Sequence, residues 1–179
     1  MDLFLSTFEN RIDTKGRLSV PAPYRAVLER SRSPLYLYKS LTLPCLEGCS
    51  PERITQIVNA IEELDSLSEE AEILQTMLSS AQEMRLDSEG RMMLPAEFVA
   101  YAELDGQALF SGIGRSFQVW QPAAFRSRET DSRARAKRDG VPSLRLRPRS
   151  TSTGELGNVR HQLAHPCHAG RGYLRTCPC

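Results

Sequence analysis

"RIDTKGRLSVPAPY" (residues 11–24) returns 74 residues later as "RLDSEGRMMLPAEF" (residues 85–98), and the fold follows from that repetition. Identities fall on Arg11/Arg85, Asp13/Asp87, Gly16/Gly90, Arg17/Arg91, Pro21/Pro95 and Ala22/Ala96, and Tyr24/Phe98 is an aromatic exchange. Six matches in fourteen places identify a tandem of two related units. Phe8, Ile12, Leu18 and Val20 alternate with polar residues, as do Met84, Leu86, Met92 and Leu94, so each motif predicts two half-buried strands around a reversal. An Asp at position i and a Gly at i+3 suit a type I turn, because the carboxylate caps backbone N–H groups and Gly tolerates positive φ. Asp13, Gly16, Asp87 and Gly90 are therefore expected to shape the turns. Pro21 and Pro95 stop the second strands and open short helices. Tyr24, Val27 and Leu28 then share one helix face, as do Phe98 and either Tyr101 or Ala102.

Working outward, "PLYLYKSLTLPCLEG" (34–48) and "QALFSGIGRSFQVWQP" (107–122) read as further strands. Ser50-Pro51-Glu52 opens a helix with Ile54, Ile57, Val58, Ile61 and Leu64 at helical spacing, and "SEEAEILQTMLSSAQ" (68–82) supplies a second amphipathic segment. These two helices bridge the repeats. A unit of about 45 residues buries little surface alone, so the apolar strand faces are expected to close against each other. The expected fold is α+β, mainly β, a pseudo-symmetric small barrel with bridging helices and a basic C-terminal tail.

Hydrophobic residues make up 40% of the 179, enough for a real core, and no apolar run is long enough for a membrane span. The N-terminus lacks the basic and apolar regions of an export signal, so the chain is expected in the cytoplasm with its five cysteines reduced. The net charge of +1 conceals an asymmetry. Residues 1–125 hold 11 Lys and Arg against 18 Asp and Glu, while residues 126–179 hold 12 against 4. An acidic body joined to a basic arm is a pattern that meets polyanions.

With the apolar residues inward, Arg11, Lys15 and Arg17 should project from the outer face or tip of the first reversal. Such a tip can enter a DNA groove, where Arg reads guanine edges and Lys holds phosphate; a solvated charged turn is the plainer alternative. Two copies of the tip favour nucleic acid through avidity. At this point "FLSTFENRIDTKGRLSVPAPYR", "LDSEGRMMLPAEF" and "FQVWQPAAF" closely resemble the MraZ proteins, bacterial transcription regulators with two SpoVT/AbrB-like domains, each carrying an Asp-x-x-x-Arg signature. The signatures here are Asp13 to Arg17 and Asp87 to Arg91, and the resemblance runs from the N-terminus to about residue 148.

That resemblance implies a ring-like homo-oligomer of swapped-hairpin AbrB-like units. It implies binding to double-stranded DNA at direct repeats upstream of the division and cell wall gene cluster, repression of that cluster and of the chain's own gene, and association with the nucleoid. Lys15 and Arg17 fall on the positions that touch DNA in the family. The second tip departs from the first, with Ser88-Glu89 where the first has Thr14-Lys15, and an acid there repels phosphate. The first hairpin is thus expected to do most of the reading, with Arg85 and Arg91 auxiliary or paired internally with Asp87. The domain reading is 1–52 and 83–125 for the two AbrB-like units, 53–82 for a helical connector, and 126–179 for a basic, largely disordered tail.

In that tail, Gln121-Pro122 opens a solvent-facing helix over 122–138, and the Arg-rich stretch after it can add non-specific phosphate contacts. Residues 150–179 match nothing in the family. They hold His161, His165, Cys167, His168, Cys177 and Cys179, but only His161-x3-His165 has zinc-ligand spacing, so no metal site is assigned and an out-of-frame end is the preferred reading.

Enzymatic readings find no support. No histidine lies before residue 161, Gly112-Ile113-Gly114 lacks a third glycine, and Cys45 and Cys49 form a lone pair. No catalytic residue, cofactor or small-molecule substrate is expected. The alternative function is an antitoxin-like AbrB module whose arm masks a partner protein.

Overall fold

The computed structural model describes residues 3–31 and 34–141. The histidine and cysteine cluster, the Arg-rich stretch after residue 141 and the out-of-frame reading of 150–179 lie outside the described residues.

The described chain is an α+β fold organised around antiparallel sheet. In the first repeat, β1 (Thr7–Arg11), β2 (Arg17–Ser19), α1 (Ala22–Ser31), β3 (Leu35–Lys39) and β4 (Cys45–Cys49) follow in order. The helical hairpin α2 (Pro51–Glu62) and α3 (Glu69–Ser79) leads to the second repeat, β5 (Gln82–Met84), β6 (Arg91–Met93), α4 (Ala96–Tyr101), β7 (Gln107–Gly112) and β8 (Ser116–Trp120). A last helix, α5 (Pro122–Asp139), runs across the change of composition at residue 126.

Six strands form one open sheet in the order β1-β7-β8-β4-β3-β5, and β2 pairs with β6 in a separate two-stranded ribbon. Exchanging the repeats reverses the six-stranded order onto itself. Each repeat sends its opening strand to the other: β1 pairs with β7, from Thr7↔Ser111 to Arg11↔Gln107, and β5 pairs with β3, from Leu35↔Met84 to Leu37↔Gln82. The central β4–β8 pairing joins the repeats again.

The alternating strand residues meet in one core that holds Leu18, Val20, Tyr24, Phe98, Phe110 and Phe117 from both repeats. Tyr24 is its centre, with ring centroids of Phe4, Phe8, Phe110 and Phe117 at 5.2, 5.5, 6.0 and 5.2 Å. Tyr24, Val27 and Leu28 on α1 are all buried, the spacing of an amphipathic helix. On α4 the sequence left Tyr101 or Ala102 open; Ala102 is the buried one, and Tyr101 is 37% exposed with its hydroxyl donating to the Ser40 carbonyl. Burying each large side chain contributes about 1.5–3 kcal/mol.

Local chemistry shapes the helices. Ser68 Oγ caps α3 by accepting from Ala71 N at 3.2 Å, and Glu69, Glu70 and Glu72 favour its positive N-terminal end. Gln121 Oε1 caps α5 from Ala124 N at 2.8 Å, with Pro122 in the first turn. The start of α5 packs on the body through Phe125 against Trp120, while residues 126–139 are mainly polar and mostly exposed. No helix among the described residues is long and apolar enough to cross a membrane.

Candidate nucleic-acid interface

Both reversals are closed by the same bonds. In the first, Asp13 N donates to Arg17 O at 3.0 Å and Gly16 N to Asp13 O at 2.9 Å, leaving Thr14 and Lys15 at the apex. Gly16 stands at φ +79°, the left-handed position that ends a three-residue hairpin loop. Asp13 Oδ1 accepts from the backbone N–H of Lys15 and of Arg17, each at 2.9 Å, and its Oδ2 accepts from Arg17 Nε at 2.6 Å. The backbone N–H of Arg17 is the main reason this carboxyl lies below its ordinary range, with the Arg17 side chain adding to it. Asp87 repeats the pattern toward Glu89 N, Arg91 N and Arg91 Nε, with Gly90 at φ +74°.

The two tips differ in what becomes of the guanidinium. Arg91 gives Nε to Asp87 at 2.8 Å and Nη1 to Glu89 at 2.6 Å, so both of its edges are occupied by acids. Asp87, followed by burial in the opposite sense, shifts the Arg91 guanidinium upward. Arg17 is held through Nε alone, and among the described residues no acid takes its Nη1 or Nη2. Lys15, at the exposed apex, has no side-chain partner among the described residues.

The ribbon brings the two signatures onto one surface. Register pairs Arg17 with Met93, Leu18 with Met92, and Ser19 with Arg91. Strand alternation turns Leu18 and Met92 inward, both fully buried. Arg17, Ser19, Arg91 and Met93 therefore share the outward face, where Met93 is 55% exposed. Asp13 of the first tip adds the smallest contribution to the upward shift of Arg91, after Asp87 and Glu89. Beyond the strands, Leu94 N donates to Gly16 O and Val20 N to Gly90 O, each at 3.0 Å, which puts one tip at each end of the ribbon.

Arg11 ends β1 and Arg85 follows β5. Both are exposed, Arg11 in the strand and Arg85 in the segment that leads into its tip, outside the β2–β6 ribbon. A cation that sequence reasoning passed over stands closer: Arg25 of α1 donates Nη1 to the carbonyl of Glu89 at 3.0 Å. The signal for it was the repeat itself, because Arg25 aligns with Val99.

Elsewhere, α5 carries Arg126 against Glu9 at 2.6 Å and Arg128 5.8 Å from the Trp120 ring. Burial pushes the Cys45 and Cys49 thiols up to about 12, which makes them inert core residues. No metal-holding group of His, Cys, Asp and Glu occurs among the described residues.

A family model described as "MraZ protein, putative antitoxin-like" matches residues 77–139, from the end of α3 through α5. Curated relatives named "Transcriptional regulator MraZ" match more of the chain. One from Pelagibacter ubique is 37% identical over 136 residues, 75% of this chain and 88% of its own length. Another, from Gluconobacter oxydans, is 37% identical over 164 residues, 89% of this chain and 97% of its own. A third, from Xanthobacter autotrophicus, is 36% identical over 155 residues, 84% of this chain and 99% of its own. Covering 89% of the chain, the Gluconobacter match continues past residue 150, which corrects the expectation that resemblance ends near residue 148. With these relatives spanned over most of their length, the chain belongs to the MraZ family.

Proposed function

We propose that the chain is a sequence-specific transcriptional regulator that binds double-stranded DNA through the outward face of the β2–β6 ribbon. A two-stranded ribbon fits the major groove. The spacing between Gly16 and Gly90, four rungs along the ladder, is about 14 Å, comparable to a major groove about 12 Å wide. Arg17 supplies the base-reading fork, Lys15 and Arg11 hold phosphate, and Arg91 and Arg85 are auxiliary. The observation that carries this reading is the contrast between the signature arginines: among the described residues no acid takes the two terminal nitrogens of Arg17, whereas Arg91 spends one on Glu89.

In this reading the two sheets belong to one small barrel of two AbrB-like swapped-hairpin units, 1–52 and 83–125, with 53–82 as connector and 126–179 as a basic arm. The protein works in the cytoplasm at the nucleoid, as a ring-like homo-oligomer. One ribbon covers few bases, so adjacent subunits engage consecutive direct repeats upstream of the division and cell wall gene cluster and repress it together with the chain's own gene.

The test is a mobility shift on the DNA upstream of its own gene at two ionic strengths, wild type beside Arg17→Ala. Retardation by the wild type, weakened by salt and by the substitution, is expected. Inserting about five base pairs between repeats, half a helical turn, should abolish tight binding; indifference to spacing would defeat the avidity mechanism.

A second reading, an antitoxin-like module, draws on the description of the family model and on exposed apolar residues of the helical hairpin, Leu67 at 93% and Ile73 at 52%. A stoichiometric heterologous protein purifying with the chain would favour it, and a large homo-oligomer would favour the regulator.

A further inference from the structure

Aligning the repeats exposes an exchange of charge. Lys15 at the first apex corresponds to Glu89 at the second, while Arg25 on α1 corresponds to Val99 on α4. The second tip has lost a cation, and the helix of the first repeat has gained one.

Arg25 lies against that second tip. Its Nη1 donates to the Glu89 carbonyl at 3.0 Å, and its guanidinium fills the space beside Gly90, where an added Cβ would stand 2.3 Å from Arg25 Cδ and Nη1. Gly16 has no such neighbour: a Cβ there would meet only Leu94 O at 3.6 Å and Met93 Sδ at 3.7 Å. A carbonyl is neutral, so this bond orients Arg25 without cancelling its charge. The Glu89 carboxylate is meanwhile taken by Arg91 Nη1. Asp87, Glu89 and Arg91 alone leave the second tip with one net negative charge, and Arg25 brings it to neutral.

We propose that Arg25 is a phosphate-contacting residue of the second tip, a cation lent by the first repeat so that both ends of the ribbon approach the DNA backbone. This rests on the DNA-binding reading given above. The contact is to phosphate, so it contributes equally to promoter and to unrelated DNA, and it appears in the salt dependence.

The experiment compares wild type, Arg25→Gln, Arg25→Lys and Arg17→Ala on promoter DNA and on unrelated duplex of equal length, across a salt series. Gln retains a donor for the Glu89 carbonyl and removes the charge; Lys retains the charge. Arg25→Gln should weaken binding by the same factor on both DNAs and flatten the slope of log K against log salt by about 0.9 per bound subunit, while Arg25→Lys keeps the slope. A wild-type slope in Arg25→Gln, with Arg17→Ala still impaired, overturns the proposal and leaves Arg25 as a cap on the turn. Failure of the wild type to bind either DNA removes the DNA-binding reading itself, and this inference with it.

Discussion

Asp13 holds Arg17 twice, accepting its backbone N–H with Oδ1 at 2.9 Å and its Nε–H with Oδ2 at 2.6 Å. One carboxylate thus builds the turn and aims the side chain that leaves it. Asp13→Asn separates the roles, because an amide oxygen still accepts the backbone N–H groups while its NH2 cannot accept from Nε. The variant should keep its fold and bind promoter DNA less tightly than wild type. Both signature carboxyls lie below their ordinary range, so their contribution is full above the usual value of 3.8 and is lost as pH falls through the lower folded value. The Arg17 Nε–H resonance should therefore keep its bonded position down to pH 3.8, as followed by NMR titration.

Arg17→Ala should cost about 1–3 kcal/mol per engaged site and relax the preference for promoter over unrelated DNA. Arg91→Ala should cost less, since Asp87 and Glu89 already occupy that guanidinium. Titration of each variant by fluorescence anisotropy measures both, and equal losses would contradict the asymmetry.

Gly48 lies on β4 opposite Phe117, and a Cβ at Gly48 would fall 2.3–2.7 Å from three atoms of that ring. Phe117 is fully buried and has no room to yield. Gly48→Ala should destabilise the fold by about 1–3 kcal/mol or more through overpacking, read as a lower urea midpoint.

Tyr24→Phe removes the hydroxyl bond to Ser6 O at 2.8 Å and should cost about 0.5–1.5 kcal/mol. Tyr24→Ala also empties the aromatic centre, at about 3–5 kcal/mol. Burial pushes the phenol from 10.0 up to about 12. The neutral form is the one the fold stabilises, so this contribution is complete below pH 10 and lost as pH rises through about 12. Tyrosinate absorbance and melting temperature, followed together, should show the two changes coinciding.

The reversals, the helices and the buried alternation at Leu18, Val20, Met92 and Leu94 were legible because each depends on neighbours within a few residues. The choice of strand partner was not. The alternation of β1 shows which side is apolar, yet nothing local says that Thr7 will lie beside Ser111 and not against its own repeat. Lys15 and Arg17 stood out as site residues because they sit in the motif. Arg25 did not, because its bond spans 64 residues and its helix reads as ordinary amphipathic packing. Comparing the two repeats position by position, Lys15 with Glu89 and Arg25 with Val99, carries the information that neither helix nor hairpin holds alone.

The crossed pairing of β1 with β7 also sets a timetable for synthesis. A growing chain that has released only the first repeat has Thr7–Arg11 without its sheet partner, and that partner, Gln107–Gly112, emerges about a hundred residues later. Until then the nascent amino-terminal half stays an open edge, answerable to any β7 that arrives, its own or that of another molecule being made alongside.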